Sequence, residues 1–190
     1  MHWWLYFLIA IAIILLFPYI RFLLKRIFLR FKIKSFCKRE GLTLHSTSPL
    51  WWLGVRRGGG CNFYIETPKS VYSIKLFPTL SKQSCVHFLE NGSYYIEKFL
   101  VLFGRWGASV RFSLKSRIRT IKSLDFKYKF NDEWSTKKLC QTILVNPTCV
   151  SIRLKDGDNE RLVCDGDKLF EARAFGLKGL LNEISGKCNP

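Results

Sequence analysis

Residues 3–39 read WWLYFLIAIAIILLFPYIRFLLKRIFLRFKIKSFCKR, and the change in character after Ile20 determines how the rest of the chain is arranged. No charged residue occurs before Arg21, and this apolar length reaches the lower end of what an α-helix needs to cross a hydrocarbon core. Aromatic residues of the kind that lie at membrane interfaces occur at both ends: Trp3, Trp4, Tyr6 and Tyr19. The sequence therefore predicts a transmembrane anchor over residues 1–21.

Positive charge is concentrated directly after this apolar segment. The first acidic residue is Glu40, and eight basic residues precede it: Arg21, Lys25, Arg26, Arg30, Lys32, Lys34, Lys38 and Arg39. Because basic residues beside a first span are retained in the cytoplasm, we expect a single-pass cell-membrane protein with its N-terminus outside and its C-terminal domain cytoplasmic. A cleavable signal peptide would need a basic segment before the apolar core and small residues after it, and neither is present. A buried or interfacial hydrophobic hairpin remains the alternative.

The basic segment itself has helical spacing. Apolar residues recur between the basic ones: Ile20, Leu23, Leu24, Ile27, Phe28, Phe31 and Phe36. The anchor is therefore predicted to continue into a basic amphipathic helix over residues 22–40, which ends near Gly41 because glycine is favoured just after a helix C-terminus. Two interpretations stay open: a helix that lies on a membrane surface, or the first core helix of the following domain.

Residues 41–190 have the length of one domain. Apolar alternation and turn residues predict these strands: 42–45, 61–65, 71–77, 85–89, 93–99, 143–145, 149–154 and 161–164. A short C-terminal helix is predicted over 175–184, and the basic stretch 104–138 has no clear pattern. The predicted fold class is α+β: a transmembrane helix running into an amphipathic helix, followed by one mixed, β-rich cytoplasmic domain.

Cysteine usage and charge limit the possible functions. The seven cysteines are odd in number and lack CxxC spacing, so they argue against a disulfide framework or a zinc site and predict free thiols in a reducing compartment. None of the three histidines is spaced with a second ligand, so we predict no metal and no cofactor. The net charge of +17 favours anionic membrane lipid as the partner, with nucleic acid or a protein partner as alternatives.

After the helix that ends near Gly41, the second and third predicted strands carry Gly60-Cys61-Asn62-Phe63-Tyr64-Ile65 and Val71-Tyr72-Ser73-Ile74-Lys75. This order resembles the opening of the restriction-endonuclease-like (PD-(D/E)xK) fold, in its Mrr and NERD-type branch, over residues 28–77. In that family the second strand carries a metal-binding Asp, and the third carries Glu-x-Lys or Gln-x-Lys. The resemblance places Asn62 at the Asp position and Ser73 at the Glu or Gln position, and Lys75 matches the lysine.

The resemblance implies a metal-dependent nuclease, in which carboxylates hold the Mg²⁺ that activates water and clamps the phosphate. Asn62 and Ser73 supply only neutral oxygens, and Glu66 is the one candidate for a migrated acid. The family also places a helix after the third strand, where this chain predicts a hairpin. We therefore predict a membrane-anchored, non-catalytic interaction domain, in which the eight basic residues bind anionic lipid, nucleic acid or a protein partner. The alternative is a membrane-tethered nuclease with displaced acidic residues.

Overall fold

The computed structural model describes residues 3–53, 61–79, 84–103, 109–120, 134–146, 149 and 151–186. Within these ranges the helices are α1 (Trp3–Arg39) and α2 (Leu177–Ile184), and a 3₁₀ turn covers Trp51–Leu53. The strands are β1 (Thr43–Ser46), β2 (Phe63–Glu66), β3 (Ser70–Pro78), β4 (Ser84–Leu89), β5 (Ser93–Phe103), β6 (Ser109–Lys115), β7 (Arg119–Thr120), β8 (Lys138–Asn146), β9 (Ser151–Asp156), β10 (Asn159–Val163), β11 (Lys168–Leu169) and β12 (Ala172–Gly176). The α+β content is as predicted.

The first sheet has the strand order β1-β2-β3-β8-β12-β11. Its first three strands form an antiparallel meander. The centre of the sheet is parallel, because β8 pairs with β3 on one side and with β12 on the other. Strand β8 is longer than the predicted 143–145, since its pairing with β3 begins at Lys138.

The second sheet has the strand order β10-β9-β4-β5-β6, with β7 beside the start of β5. The predicted hairpin of β4 and β5 is confirmed, and Gly92 takes a φ of +72° at its turn, a conformation that glycine adopts without strain. Strand β6 falls in the stretch for which the sequence predicts no element. No helix is described between β3 and β8, and residues 80–83, 104–108 and 121–133 lie outside the described ranges.

The two sheets and the helices form three layers. One apolar core lies between the helices and the first sheet, and the other lies between the two sheets. Strand β8 contributes to both cores, because its successive side chains point to opposite faces of the sheet. Leu144 belongs to the helix-side core, whereas Ile143 and Val145 belong to the core between the sheets. The first sheet is therefore covered on both faces.

The second half of α1 packs against the domain. Its buried side chains recur at helical spacing: Arg26, Leu29, Ile33, Phe36 and Cys37. The helix ends as predicted, since Gly41 has a φ of +65° and the Leu42 N–H donates to the Cys37 carbonyl at 2.8 Å. One face of this half thus lies in the core, as the interpretation of a first core helix predicts, and the other face is exposed.

The predicted apolar face of this helix is only partly the face that packs, since Phe36 is buried and Ile27 lies against the core but the other predicted residues do not. Leu23, Leu24, Phe28 and Phe31 are 40–65% exposed, while the face that packs contains Leu29 and Ile33. Apolar residues occupy more than one side of the helix, so periodicity alone cannot select the side that contacts the sheet. The packing partners, which come from distant strands, make that selection.

Helix α1 is continuous from Trp3 to Arg39, so the apolar and the basic segments are two halves of one element. Among the residues that the structure describes, no helix combines the length and the apolar character that a membrane crossing requires. This finding contradicts the predicted transmembrane anchor over 1–21, the single-pass topology, and the placement in the cell membrane with an exterior N-terminus and a cytoplasmic domain. The apolar segment is not a separate helix but the first half of a mixed one.

Candidate polyanion-binding surface

The eight basic residues predicted as the anion- and lipid-binding site all lie on α1, from Arg21 to Arg39. Seven of them are exposed or half-exposed, and Arg26 is buried. Within the described residues only Arg39 of this set forms an ion pair, with the adjacent Glu40 at 3.0 Å. The other exposed side chains therefore present a largely uncompensated positive charge.

The same helix also exposes most of the large apolar side chains. Of the sixteen large hydrophobic residues that are exposed in the described part of the chain, twelve lie on α1. They include Trp3 near the N-terminus and Phe28 and Phe31 within the basic half, which are 76%, 64% and 65% exposed. A concentration of exposed apolar area on one element marks a surface that contacts a partner or a membrane.

A shallow open groove of about 380 Å³ lies between the end of α1 and helix α2. It is lined by Phe31, Lys32, Ser35, Phe36, Arg39 and Leu181. Its floor is mostly apolar, and its two cationic side chains can interact with an anion at the edge. The groove thus repeats, on a smaller scale, the combination of apolar and basic groups that characterises the whole helix.

Arg26 differs from the other basic residues of α1. Its side chain is 1% exposed, and its Nε and Nη1 atoms have no hydrogen-bond partner within the described residues. The guanidinium carbon lies 5.0 Å from the centroid of the Phe22 ring, and burial lowers the pKa of Arg26. Arg26 is therefore a buried cation that forms no ion pair within the described residues.

Asn62, Ser73 and Lys75 do come together in the fold. Ser73 and Lys75 lie two residues apart on β3 and share the face that turns to the second sheet, and the register of β2 and β3 places Asn62 opposite Lys75. All three are buried, at 2%, 0% and 9% exposure. The three side chains are therefore neighbours, and their position is covered by the second sheet.

The donor atoms at this position do not suit a metal. The Asn62 Oδ1 atom already accepts a hydrogen bond from the Leu76 N–H at 2.8 Å, while its Nδ2 atom and the Ser73 hydroxyl have no described partner. Neutral amide and hydroxyl groups cannot balance a divalent ion in a buried site. No group of three His, Cys, Asp or Glu side chains within the described residues could hold a metal ion.

Glu66, the candidate migrated acid, is held at the far end of β2. Its Oε1 atom lies 2.6 Å from Lys137 Nζ, and its Oε2 atom lies 2.8 Å from His45 Nε2. The hydrogen bond from Lys137, and then that from His45, lowers the pKa of the Glu66 carboxyl group. Four extended residues span about 13 Å, so Glu66 is too far from Asn62 along the strand to share an ion with it.

A second polar cluster lies on the outer face of the second sheet, and the sequence does not predict it. His87 is 5% exposed; its Nδ1 atom lies 2.7 Å from Glu160 Oε1, and its Nε2 atom lies 3.1 Å from Glu97 Oε2. Tyr95 stacks on the imidazole ring with a centroid distance of 4.5 Å, and Arg153 pairs with Glu160 at 2.8 Å. The polar alternation of β4 and β5 is visible in the sequence, but Glu160 is brought in from β10.

The six described cysteines are free: Cys37, Cys61, Cys85, Cys140, Cys149 and Cys164. Burial raises the pKa of Cys37 and of Cys149 to about 11, so neither presents a thiolate at neutral pH. These buried thiols therefore act as small apolar core residues and not as nucleophiles.

Comparisons of this chain with protein-family models, with curated protein sequences and with solved structures gave no significant match.

Proposed function

We propose that this protein is a non-catalytic interaction domain that binds an anionic lipid surface through helix α1. The observation that carries this proposal is the presence, on one helix, of the exposed basic side chains and of twelve of the sixteen exposed large hydrophobic side chains. Such helices bind at a bilayer interface by burying apolar side chains among the lipids while basic groups contact the anionic headgroups. Each Lys or Arg near such a surface contributes about 1 kcal/mol.

The apolar side chains favour lipid over nucleic acid. Exposed aromatic residues such as Phe28 and Phe31 could stack on unpaired bases. The aliphatic residues Ile13, Leu16 and Leu24, which are 50–57% exposed, cannot stack in this way and gain nothing from contact with phosphates. A lipid surface accommodates both kinds of side chain together with the basic groups.

The metal-dependent nuclease is the weaker alternative. Its motif residues Asn62 and Ser73 are buried and carry no charge, and Glu66 is paired with Lys137. Binding of Mg²⁺ beside a phosphate depends on carboxylates that this position lacks. The buried Lys75 alone does not compensate for their absence.

The proposal predicts a loss of vesicle binding when charge is removed from α1. The variant Lys32→Gln/Lys34→Gln/Lys38→Gln loses three exposed charges of the helix, so its affinity for vesicles of phosphatidylcholine with phosphatidylserine should fall about 100-fold, at about 1 kcal/mol per charge. The matched control, Lys69→Gln/Lys155→Gln/Lys168→Gln, removes three exposed charges elsewhere and should keep most of the binding. Sedimentation of the full chain with vesicles measures both.

Two results would overturn the proposal. Equal binding to vesicles with and without phosphatidylserine would show that the basic surface has no part in binding, and equal losses in both triple variants would show that α1 has no special part. Reproducible Mg²⁺-dependent cleavage of nucleic acid, abolished by Lys75→Ala, would instead support the nuclease alternative.

A further inference from the structure

Arg26 lies in the basic half of α1, where the helix begins to pack against the domain. Counted from Tyr19 onward, it is the first buried side chain of the helix, and the preceding Leu23 and Leu24 are 40% and 50% exposed. A guanidinium group carries only donors and stays protonated at neutral pH. Because an isolated buried charge is costly, this position requires an acceptor, and the described residues supply none for the Nε and Nη1 atoms.

A second unpaired donor lies beside the same part of the helix. The Trp52 side chain is 9% exposed, and its Nε1 atom is buried without a described hydrogen-bond partner. Arg30 follows Arg26 by one helical turn on the same side of α1, and its guanidinium carbon lies 6.0 Å from the Trp52 ring centroid. The junction of α1 with the 3₁₀ turn thus places Arg30 one helical turn from Arg26 and beside the Trp52 ring, and none of these three donor groups is paired with a carboxylate within the described residues.

We propose that this junction binds one phosphate group through Arg26, Arg30 and Trp52. A phosphate supplies both the negative charge and the several acceptor oxygens that the two guanidinium groups and the indole N–H require. The inference rests on the proposed function, because α1 is the helix proposed to contact lipid headgroups, and both Arg26 and Arg30 lie on it. The phosphate of a headgroup and a free phosphate ester share this chemistry, and the experiment separates them.

Vesicle binding provides the first arm of the test. Vesicles of phosphatidylcholine with phosphatidic acid present a phosphomonoester headgroup. The variant Arg26→Met should lower the affinity for them about 30-fold, as expected for charge-assisted hydrogen bonds to one group. Arg26→Lys keeps the charge but loses the planar set of donors, so it should also bind more weakly than the wild type. Lys34→Met removes one exposed charge of the same helix and should cost only about fivefold.

A free phosphate ester provides the second arm. Glycerol phosphate, added at constant ionic strength, should raise the urea midpoint of the wild type and of Lys34→Met in a saturable manner, because a ligand that binds the native state stabilises it. The midpoint of Arg26→Met should not respond. The midpoints without ligand also show that each variant is folded.

The outcomes distinguish the two proposals. If vesicles bind but Arg26→Met and Lys34→Met lose the same affinity, the phosphate site is wrong and the lipid-binding surface stands. If glycerol phosphate stabilises the protein through Arg26 while no vesicle binds, the site stands with a free phosphate ester as its ligand, and the lipid proposal fails. If neither arm depends on Arg26, the phosphate site is overturned.

Discussion

Arg26 in helix α1 and His87 in strand β4 are both nearly inaccessible to solvent, at 1% and 5% exposure, yet they have opposite surroundings. The two ring nitrogens of His87 each contact a carboxylate, from Glu97 and Glu160, whereas two guanidinium nitrogens of Arg26 have no described partner. Both ring nitrogens of His87 are thus within hydrogen-bond distance of a carboxylate oxygen. The fold itself supplies partners for His87, whereas Arg26 is the buried group for which we propose a ligand.

The largest change in stability is expected when His87, the side chain that has partners within the fold, is replaced. His87→Leu leaves Glu97 without its described partner on a largely buried side chain, so we expect a loss of about 3 kcal/mol in the free energy of unfolding by urea. His45→Leu is the matched control, because His45 also pairs with a glutamate but its side chain is 38% exposed, and it should cost less than about 1 kcal/mol. Similar costs for the two variants would show that the His87 cluster has no special structural role.

Replacing Arg26, the side chain without a described partner, should change the free energy of unfolding in the opposite direction. Arg26→Met replaces a buried, unpaired cation with an apolar side chain of similar length, so in phosphate-free buffer the free energy of unfolding should rise by about 2 kcal/mol. The half-exposed Arg30→Met gives a control with the same change of charge. A marked destabilisation by Arg26→Met alone would mean that Arg26 is internally paired like His87, and the contrast would disappear.

A smaller effect is expected at Glu66, which is partly exposed. Its carboxyl pKa is lowered in the native state, so its stabilisation is complete above the ordinary glutamate pKa and is lost as the pH falls through the lowered value. Lys137→Met removes the main cause of the shift and should cost about 1 kcal/mol at neutral pH. The urea stabilities of the two proteins should converge on acidification, and a constant difference at all pH values would exclude this linkage.

The sequence predicts local features of this molecule better than its long-range pairings. The end of α1 at Gly41 and the hairpin turn at Gly92 follow from short-range chemistry, and both are found. The parallel pairing of β3 with β8 joins strands whose first residues, Ser70 and Lys138, are far apart in the chain, and no local pattern indicates it. Strand β6 alternates strictly, with Val110, Phe112 and Leu114 between polar residues, so the sequence carried a local strand signal there that our prediction missed.

In the candidate sites, too, local features are easier to predict from the sequence than long-range contacts. Period-two spacing places Ser73 and Lys75 on one face of β3, but whether that face is open or covered depends on the second sheet. In the basic segment, Arg26 is indistinguishable by residue type from Arg30, and only its spacing to Leu29 and Ile33 would have suggested burial. The exposed apolar residues of α1 led to the prediction of a membrane span. Hydropathy alone does not distinguish a helix that spans a membrane from a helix whose apolar side chains have a different apolar environment.

The path of the chain between the sheets has a consequence for how the domain folds. From β3 the chain enters the second sheet for β4 to β7, returns for β8, leaves again for β9 and β10, and ends in the first sheet. Neither sheet is therefore built from one contiguous segment of the chain. Each sheet contains parallel pairing, β3 with β8 and β4 with β9, between strands that are separated in the sequence by strands of the other sheet. The hairpins can form early from neighbouring residues, but the parallel strand pairs depend on slow, long-range loop closure. The two sheets consequently form one cooperative unit, and cutting the chain between them would not release an independent half.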